Sequence, residues 1–305
     1  MKSVLSGLVA APFTPFHPDG SLNLGAIPQQ SESLVRNGVS GAFICGTTGE
    51  GYSLSLDERK HVAAEWRRAA PSTLKLVVHV GHLCLSDSCD LARHAESIGA
   101  DAIATIAPSF FKPAGATELV EWCAKVARAA PGLPFYYYHM PAMTGVSVAA
   151  HQFLELGHTR IPTLAGIKFT DEDLLDYGLA SQVADGRYAM LFGRDEILLA
   201  GLSLGAAGAV GSTYNYAAPL FLRIIQAFEL GNLSEARRYQ TRAQEFIAVM
   251  VRHGGLAAGK AMMGLIGLEC GPVREPLRRL DGTQQQELRR DLERIGFFEY
   301  ACQIS

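Results

Sequence analysis

The sequence predicts an α/β fold, one (β/α)8 TIM barrel with a C-terminal helical extension. Three observations point to it. Short apolar runs recur along the chain at intervals of roughly 20–35 residues, the size of a βα unit. The runs are continuous rather than alternating, as in a parallel sheet whose outer face is covered. The length of 305 residues exceeds the ~250 that one such barrel takes, leaving room for a few additional helices.

The apolar runs place strands at 7–11, 41–45, 74–80, 102–107, 134–139, 164–169, 189–192 and 206–210. Helical periodicity fills the intervals. A helix over 57–70 carries Val62, Ala63, Trp66, Ala69 and Ala70 on one side, and another runs over 118–130. Eight units end near Gly231. Beyond them, a helix is expected over 233–250, with Ser234 as its cap and Glu235 in its first turn. Further helices follow over 257–266 and 284–295. No Pro- or Ser-rich linker interrupts the chain. The expected organisation is therefore a single domain over 1–305, with the barrel over 1–231 and the helical extension over 232–305.

Composition narrows the function. Apolar residues make up 48% of the chain and charged residues 19%, which suits a large core and not a disordered chain. The net charge of −3 speaks against nucleic acid or an anionic membrane as a partner, while leaving room for a local pocket for a small anion. The longest apolar stretch, 197–210, is shorter than the about 20 residues a membrane span needs. The first residues lack the apolar core of a signal peptide. The six cysteines show no CxxC spacing and suit a reduced, cytoplasmic protein better than a disulfide framework or a zinc site.

In barrels of this kind chemistry sits at the C-terminal ends of the strands. The run 164–169 carries Lys168, one of only seven lysines. Burying a lysine disfavours its charged form, and a neutral amine is a nucleophile able to form a Schiff base with a carbonyl. The alternative is a lysine that snorkels out of the strand end. Lys75 also falls in a strand, but near its start, on the opposite face. The run 134–139 holds Tyr136, Tyr137 and Tyr138. Tyr136 and Tyr138 share a face, and Tyr138 is nearer the active rim, where a phenol can transfer protons. Gly46-Thr47-Thr48-Gly49-Glu50-Gly51 offers hydroxyls and close backbone approach, a cradle for a carboxylate. It lacks the Gly-Lys-Ser/Thr ending of a phosphate loop. Asp195 and Glu196 can accept hydrogen bonds from a polyol, or cap and head the helical run 197–204. Ser212 lies in a further Gly/Ser turn on the same face. His79 and His82 have a metal-ligand spacing without an evident third ligand, so no metal is expected. Phe110 and Phe111 are expected at the rim or at a subunit contact.

Taken together, GTTGEG at 46–51, YYYHMPAMTG at 136–145, GIKFTD at 166–171, FGRDE at 192–196 and GAVGSTYN at 208–215 resemble the N-acetylneuraminate lyase and dihydrodipicolinate synthase superfamily of class I aldolases. The resemblance covers essentially the whole chain, and five motifs in order at strand ends make it specific. It implies that Lys168 forms the Schiff base and Tyr138 transfers the proton. Thr47 and Thr48 would hold the pyruvate-derived carboxylate. Thr170, Gly193, Asp195, Glu196 and Ser212 would face the sugar end. The synthase branch reads Pro-Ser-Arg-Thr-Gly where this chain has Pro141-Ala142-Met143-Thr144-Gly145, and a methionine cannot pair with a substrate carboxylate. Phe110 stands where that branch has a proton-relaying tyrosine. Both departures favour the lyase branch. The implied reaction is reversible cleavage of N-acetylneuraminate, a sialic acid, to N-acetylmannosamine and pyruvate. It needs no metal or organic cofactor, and the family's common assembly is a homotetramer. Two rivals remain: an aldolase or dehydratase acting on another 2-keto sugar acid, and a non-catalytic sugar-acid binding protein.

Overall fold

The structure, a computed structural model, describes residues 5–304. Strands and helices alternate: β1 Gly7–Ala10, α1 Ile27–Arg36, β2 Gly41–Ile44, α2 Leu56–Ala69, β3 Lys75–His79, α3 Leu85–Ser97, β4 Ala102–Ile106 and α4 Ala116–Arg128. Then come β5 Phe135–His139, a short α5 Pro141–Thr144, α6 Ala150–Arg160, β6 Leu164–Phe169, α7 Leu174–Gln182, β7 Ala189–Phe192, α8 Leu198–Ser203, β8 Gly208–Gly211 and α9 Tyr214–Glu229. The extension consists of α10 Leu233–Arg252, α11 Leu256–Leu265 and α12 Gly282–Arg294. The strands close in sequence order, with β8 returning to pair in parallel with β1.

Small departures from the expected boundaries have local causes. The last strand begins at Gly208 rather than 206, because the Ala206 N–H is tied back to Gly201 O at the end of α8. The α2 helix starts at Leu56, set by a capping box between Ser55 and Glu58. Ser234 does not cap α10. Asn232 does, its side chain accepting from the Glu235 N–H, which leaves Ser234 inside the first turn.

Strand alternation divides the apolar residues into two layers. Val9, Phe43, Val77, Ala104, Tyr136, Tyr138, Leu191 and Val210 fill the barrel interior. Leu8, Ile44, Val78, Ile103, Tyr137, Ile167, Phe169 and Phe192 face outward and pack in the continuous core beneath the helices. The same alternation puts Lys168 inside, between outward-facing Ile167 and Phe169. Lys75, at the start of β3, instead reaches Asp101 at 2.9 Å, at the opposite end of the barrel.

The extension is fastened to the barrel mouth by buried charge. Lys260 of α11 and Glu50, in the turn after β2, are both buried and lie 2.7 Å apart. The other Glu50 oxygen accepts from the Arg274 backbone N–H at 2.8 Å. The Arg274 guanidinium bonds both oxygens of Glu58 and the carbonyls of Gly20 and Ser53. Phe16 offers its ring to both cations, with Lys260 Nζ at 4.1 Å and the Arg274 guanidinium at 4.4 Å.

Removing one partner of a buried pair strands the other's charge, whereas removing both does not. Lys260→Met is therefore expected to lower the unfolding free energy by about 3–5 kcal/mol, and Glu50→Gln/Lys260→Met to recover more than half of that loss. Denaturant titrations of the three proteins check this. Additive losses in the double variant would contradict it.

Candidate active site

The register of the barrel sets the centre of the site. Tyr138 of β5 is the direct partner of Lys168 of β6, and both side chains point inward. Lys168 is 4% exposed. Its Nζ lies over two aromatic rings, 4.0 Å from the Tyr138 centroid and 4.2 Å from that of Phe43. The two rings meet edge-on at 5.6 Å. The Tyr138 hydroxyl is 3.3 Å from Thr47 Oγ1 and donates to Met140 Sδ at 3.0 Å. An amine and a phenol are thus held side by side where β5 and β6 reach the rim.

Beneath them lies His79, buried, with its ring edge against Tyr138. Its Nδ1 is 3.1 Å from Cys45 O, and buried Arg59 donates to the carbonyls of His79 and Gly81. Burial, followed by the charges of Arg59 and Lys168, holds the His79 imidazole well below its ordinary pKa, so it is neutral. His82 lies apart, its Nδ1 accepting from the Cys84 N–H. Among the described residues no group of three or more His, Cys, Asp or Glu is placed to hold a metal ion.

The structure brings the nine residues proposed for catalysis and substrate binding to one cavity of about 200 Å³. Lys168, Tyr138, Thr47, Thr48, Thr170, Gly193, Asp195, Glu196 and Ser212 all line it. Thr170 is fixed by its N–H to His139 O at 2.8 Å. Its Oγ1 is buried without a partner among the described residues, leaving a hydroxyl for a bound molecule. Gly193 must be glycine, since a Cβ there would lie 2.1 Å from Thr170 Oγ1.

Asp195 does not cap the helical run that follows it. Its carboxylate turns across to β8 and accepts from the Thr213 N–H at 3.2 Å and the Thr213 hydroxyl at 2.6 Å, at the start of α9. Gly211 makes room, because a Cβ there would meet Asp195 Oδ1 at 1.9 Å. Burial pushes the Asp195 carboxyl up to about 6, against the Thr213 bonds that favour its charged form.

Several lining residues escaped the sequence reading. Arg194, inside a recognised motif, pairs with Glu172 and lies 3.4 Å from Glu196. Met140 touches the Tyr138 hydroxyl. Ile247, Met250 and Val251 of α10 form a wall of the cavity, and only their helical spacing hinted at a shared face. Met143 lies elsewhere. It lines a neighbouring, mostly apolar cavity of about 440 Å³ that shares Thr47 with the first. Phe110 and Phe111 are 74% and 86% exposed and stack edge to face.

Comparison with known proteins agrees with this geometry. The model of the dihydrodipicolinate synthetase family matches residues 4–295. The N-acetylneuraminate lyase of Rattus norvegicus is 44% identical over 304 residues, covering 98% of this chain and 95% of that protein. The N-acetylneuraminate lyase of Proteus mirabilis superposes with a TM-score of 0.94 at 43% identity, covering 96% of this chain and 99% of that one. The N-acetylneuraminate lyase (sialic acid aldolase) of Aliivibrio salmonicida does so with a TM-score of 0.95 at 42% identity, covering 97% and 98%.

The raised Asp195 carboxyl has a consequence for stability. Its folded value of about 6 lies above the ordinary 3.8, so the folded chain holds this proton more tightly than the unfolded chain does. Asp195 carries no penalty below about pH 4, and destabilises the free protein as the pH rises through 6, by about 3 kcal/mol at neutrality. Asp195→Asn is expected to gain on the parent by about that amount between pH 4 and pH 7.5. Urea unfolding of both proteins across this range measures the difference. A difference independent of pH would rule out the raised carboxyl.

Proposed function

The chain belongs to the dihydrodipicolinate synthetase family, and we propose that it cleaves N-acetylneuraminate reversibly into N-acetylmannosamine and pyruvate. The observation that carries the reading is the Lys168–Tyr138 pair at the barrel mouth, facing a polar rim in the same cavity. Lys168 Nζ attacks the C2 keto carbon, and loss of water leaves a protonated imine. Thr47 and Thr48 hold the adjacent carboxylate. The imine draws in the electrons of the C3–C4 bond as the C4 hydroxyl gives its proton to the Tyr138 oxygen, while the phenol, linked to Thr47, passes its own proton to the substrate carboxylate, from which it later returns to C3. N-acetylmannosamine leaves with C4 as its aldehyde carbon, and an enamine of pyruvate remains on Lys168. Protonation at C3 and hydrolysis release pyruvate and restore the amine. These steps use side chains and water alone.

The sugar end is assigned to Thr170, Gly193, Asp195, Glu196 and Ser212. The unpartnered Thr170 hydroxyl and the rim carboxylates match a neutral polyol better than a second anion. The active form in this proposal is a cytoplasmic homotetramer acting on small molecules. The exposed Phe110–Phe111 pair supports a subunit contact. The six free cysteines suit a reducing compartment, and among the described residues no helix is long and apolar enough to cross a membrane.

Incubation with pyruvate followed by borohydride is expected to label Lys168 and no other lysine, as read by peptide mass spectrometry. A label elsewhere, or none, would refute the Schiff-base reading. Tyr138→Phe is expected to fold as the parent does and still accept the label, while kcat for N-acetylneuraminate falls by about 10²–10⁴ with KM less affected. Near-normal turnover in this variant would make Tyr138 a packing residue.

A further inference from the structure

We propose that Gln240 and Gln244, on a helix outside the barrel, are positioning residues that set the sugar side of the site. The inference rests on the reaction assigned above. Gln240 is 6% exposed, and both ends of its amide are used. Its Nε2 donates to Asp195 O at 3.1 Å, and its Oε1 accepts from the Leu199 N–H at 2.9 Å. The Leu199 N–H lies in the first turn of α8, where backbone donors lack intrahelical acceptors. One buried amide therefore straddles the 3-10 turn Asp195–Ile197 and the helix behind it. One turn further along α10, Gln244 Nε2 donates to Glu196 O at 2.9 Å.

Positions 240, 244, 247 and 251 are spaced by four, three and four residues, so they form one stripe along α10. Its first half grips the backbone of the two acidic rim residues, and its second half, Ile247 and Val251, is cavity wall. Neither glutamine lines the cavity itself. Their effect must pass through where Asp195 and Glu196 hold their side chains. Lys168, Tyr138 and Thr47 stand on β6, β5 and the turn after β2, beyond the reach of this clamp. The device should therefore govern recognition of the substrate beyond C4 and leave imine formation untouched. In effect, the outer helix sets how strongly the enzyme prefers a long polyhydroxy chain over a short one.

Gln240→Glu separates the two bonds of the amide. Its carboxylate still accepts from the Leu199 N–H, but it cannot donate to Asp195 O. We expect kcat/KM for N-acetylneuraminate to fall roughly tenfold, mainly through KM, as suits the loss of a buried hydrogen bond that orients a binding group. A 4-hydroxy-2-oxo acid of five or six carbons, which does not reach the sugar rim, should change less than about twofold on the same grounds. Pyruvate trapping on Lys168 should match the parent, while the melting temperature falls because a carboxylate now faces the Asp195 carbonyl in a buried place. Gln244→Leu, at a more exposed bond, should show the same selective pattern at roughly threefold, and it carries the test if Gln240→Glu fails to fold. Equal losses on both substrates, no loss on either, or a loss of trapping would overturn the proposal. A parent protein that does not trap pyruvate at Lys168 would instead overturn the reaction on which it rests.

Discussion

A lysine on the inner face of a closed barrel has to be packed where neither bulk water nor a flexible stem can relieve it. Here the problem is met with aromatic faces. Phe43 and Tyr138 present ring surfaces to Nζ at close to 4 Å, so the nitrogen is held by π faces on two sides. Because the rings come from β2 and β5, strands held in fixed register by the closed barrel, the nitrogen has little choice of direction. The threonine turn after β2, the phenol of Tyr138 and the rim of β6, β7 and β8 are disposed around that one atom.

Two structural layers share the work. Barrel strands place Lys168 and Tyr138, and their positions follow from register alone. The extension places groups that do not react but whose location decides what can approach. It does so with buried polar contacts rather than large apolar area: the Glu50–Lys260 pair under the threonine turn and the Gln240 amide under the acidic rim. Such contacts add little net stability over well-packed apolar residues, because desolvation offsets most of their attraction. Their value lies in geometry. A buried ion pair or a doubly used amide has one satisfied arrangement, whereas an apolar contact tolerates sliding.

How much of this was legible in the sequence depended on whether the signal was local. Strands lay within a residue or two of their expected places, because each is a continuous apolar run ended by polar or glycine-rich chain. Lys168, Tyr138 and the threonine turn could be found since they sit at strand ends and the fold class says strand ends matter. Asp195 was located correctly but its bonding was not. Capping is a local inference, and its true partner, Thr213, is 18 residues away across a strand pair. Met143 turned to a neighbouring cavity because Pro141–Thr144 coils into a short helix after β5, which period-two reasoning cannot foresee. The α10 stripe was invisible for the same reason. A glutamine at helical spacing reads as a solvent-facing side chain until the backbone it touches, here Asp195 O and the Leu199 N–H, is known.

The wall supplied by α10 also orders events in time. During synthesis the eight strands leave the ribosome before α10 and α11 do, and N-terminal segments generally gain structure first. A nascent barrel can therefore bury Lys168 and Tyr138 in register while the acidic rim still lacks Gln240 and the threonine turn still lacks Lys260. In a growing chain the two facing side chains can thus be set before the wall that encloses their cavity has docked.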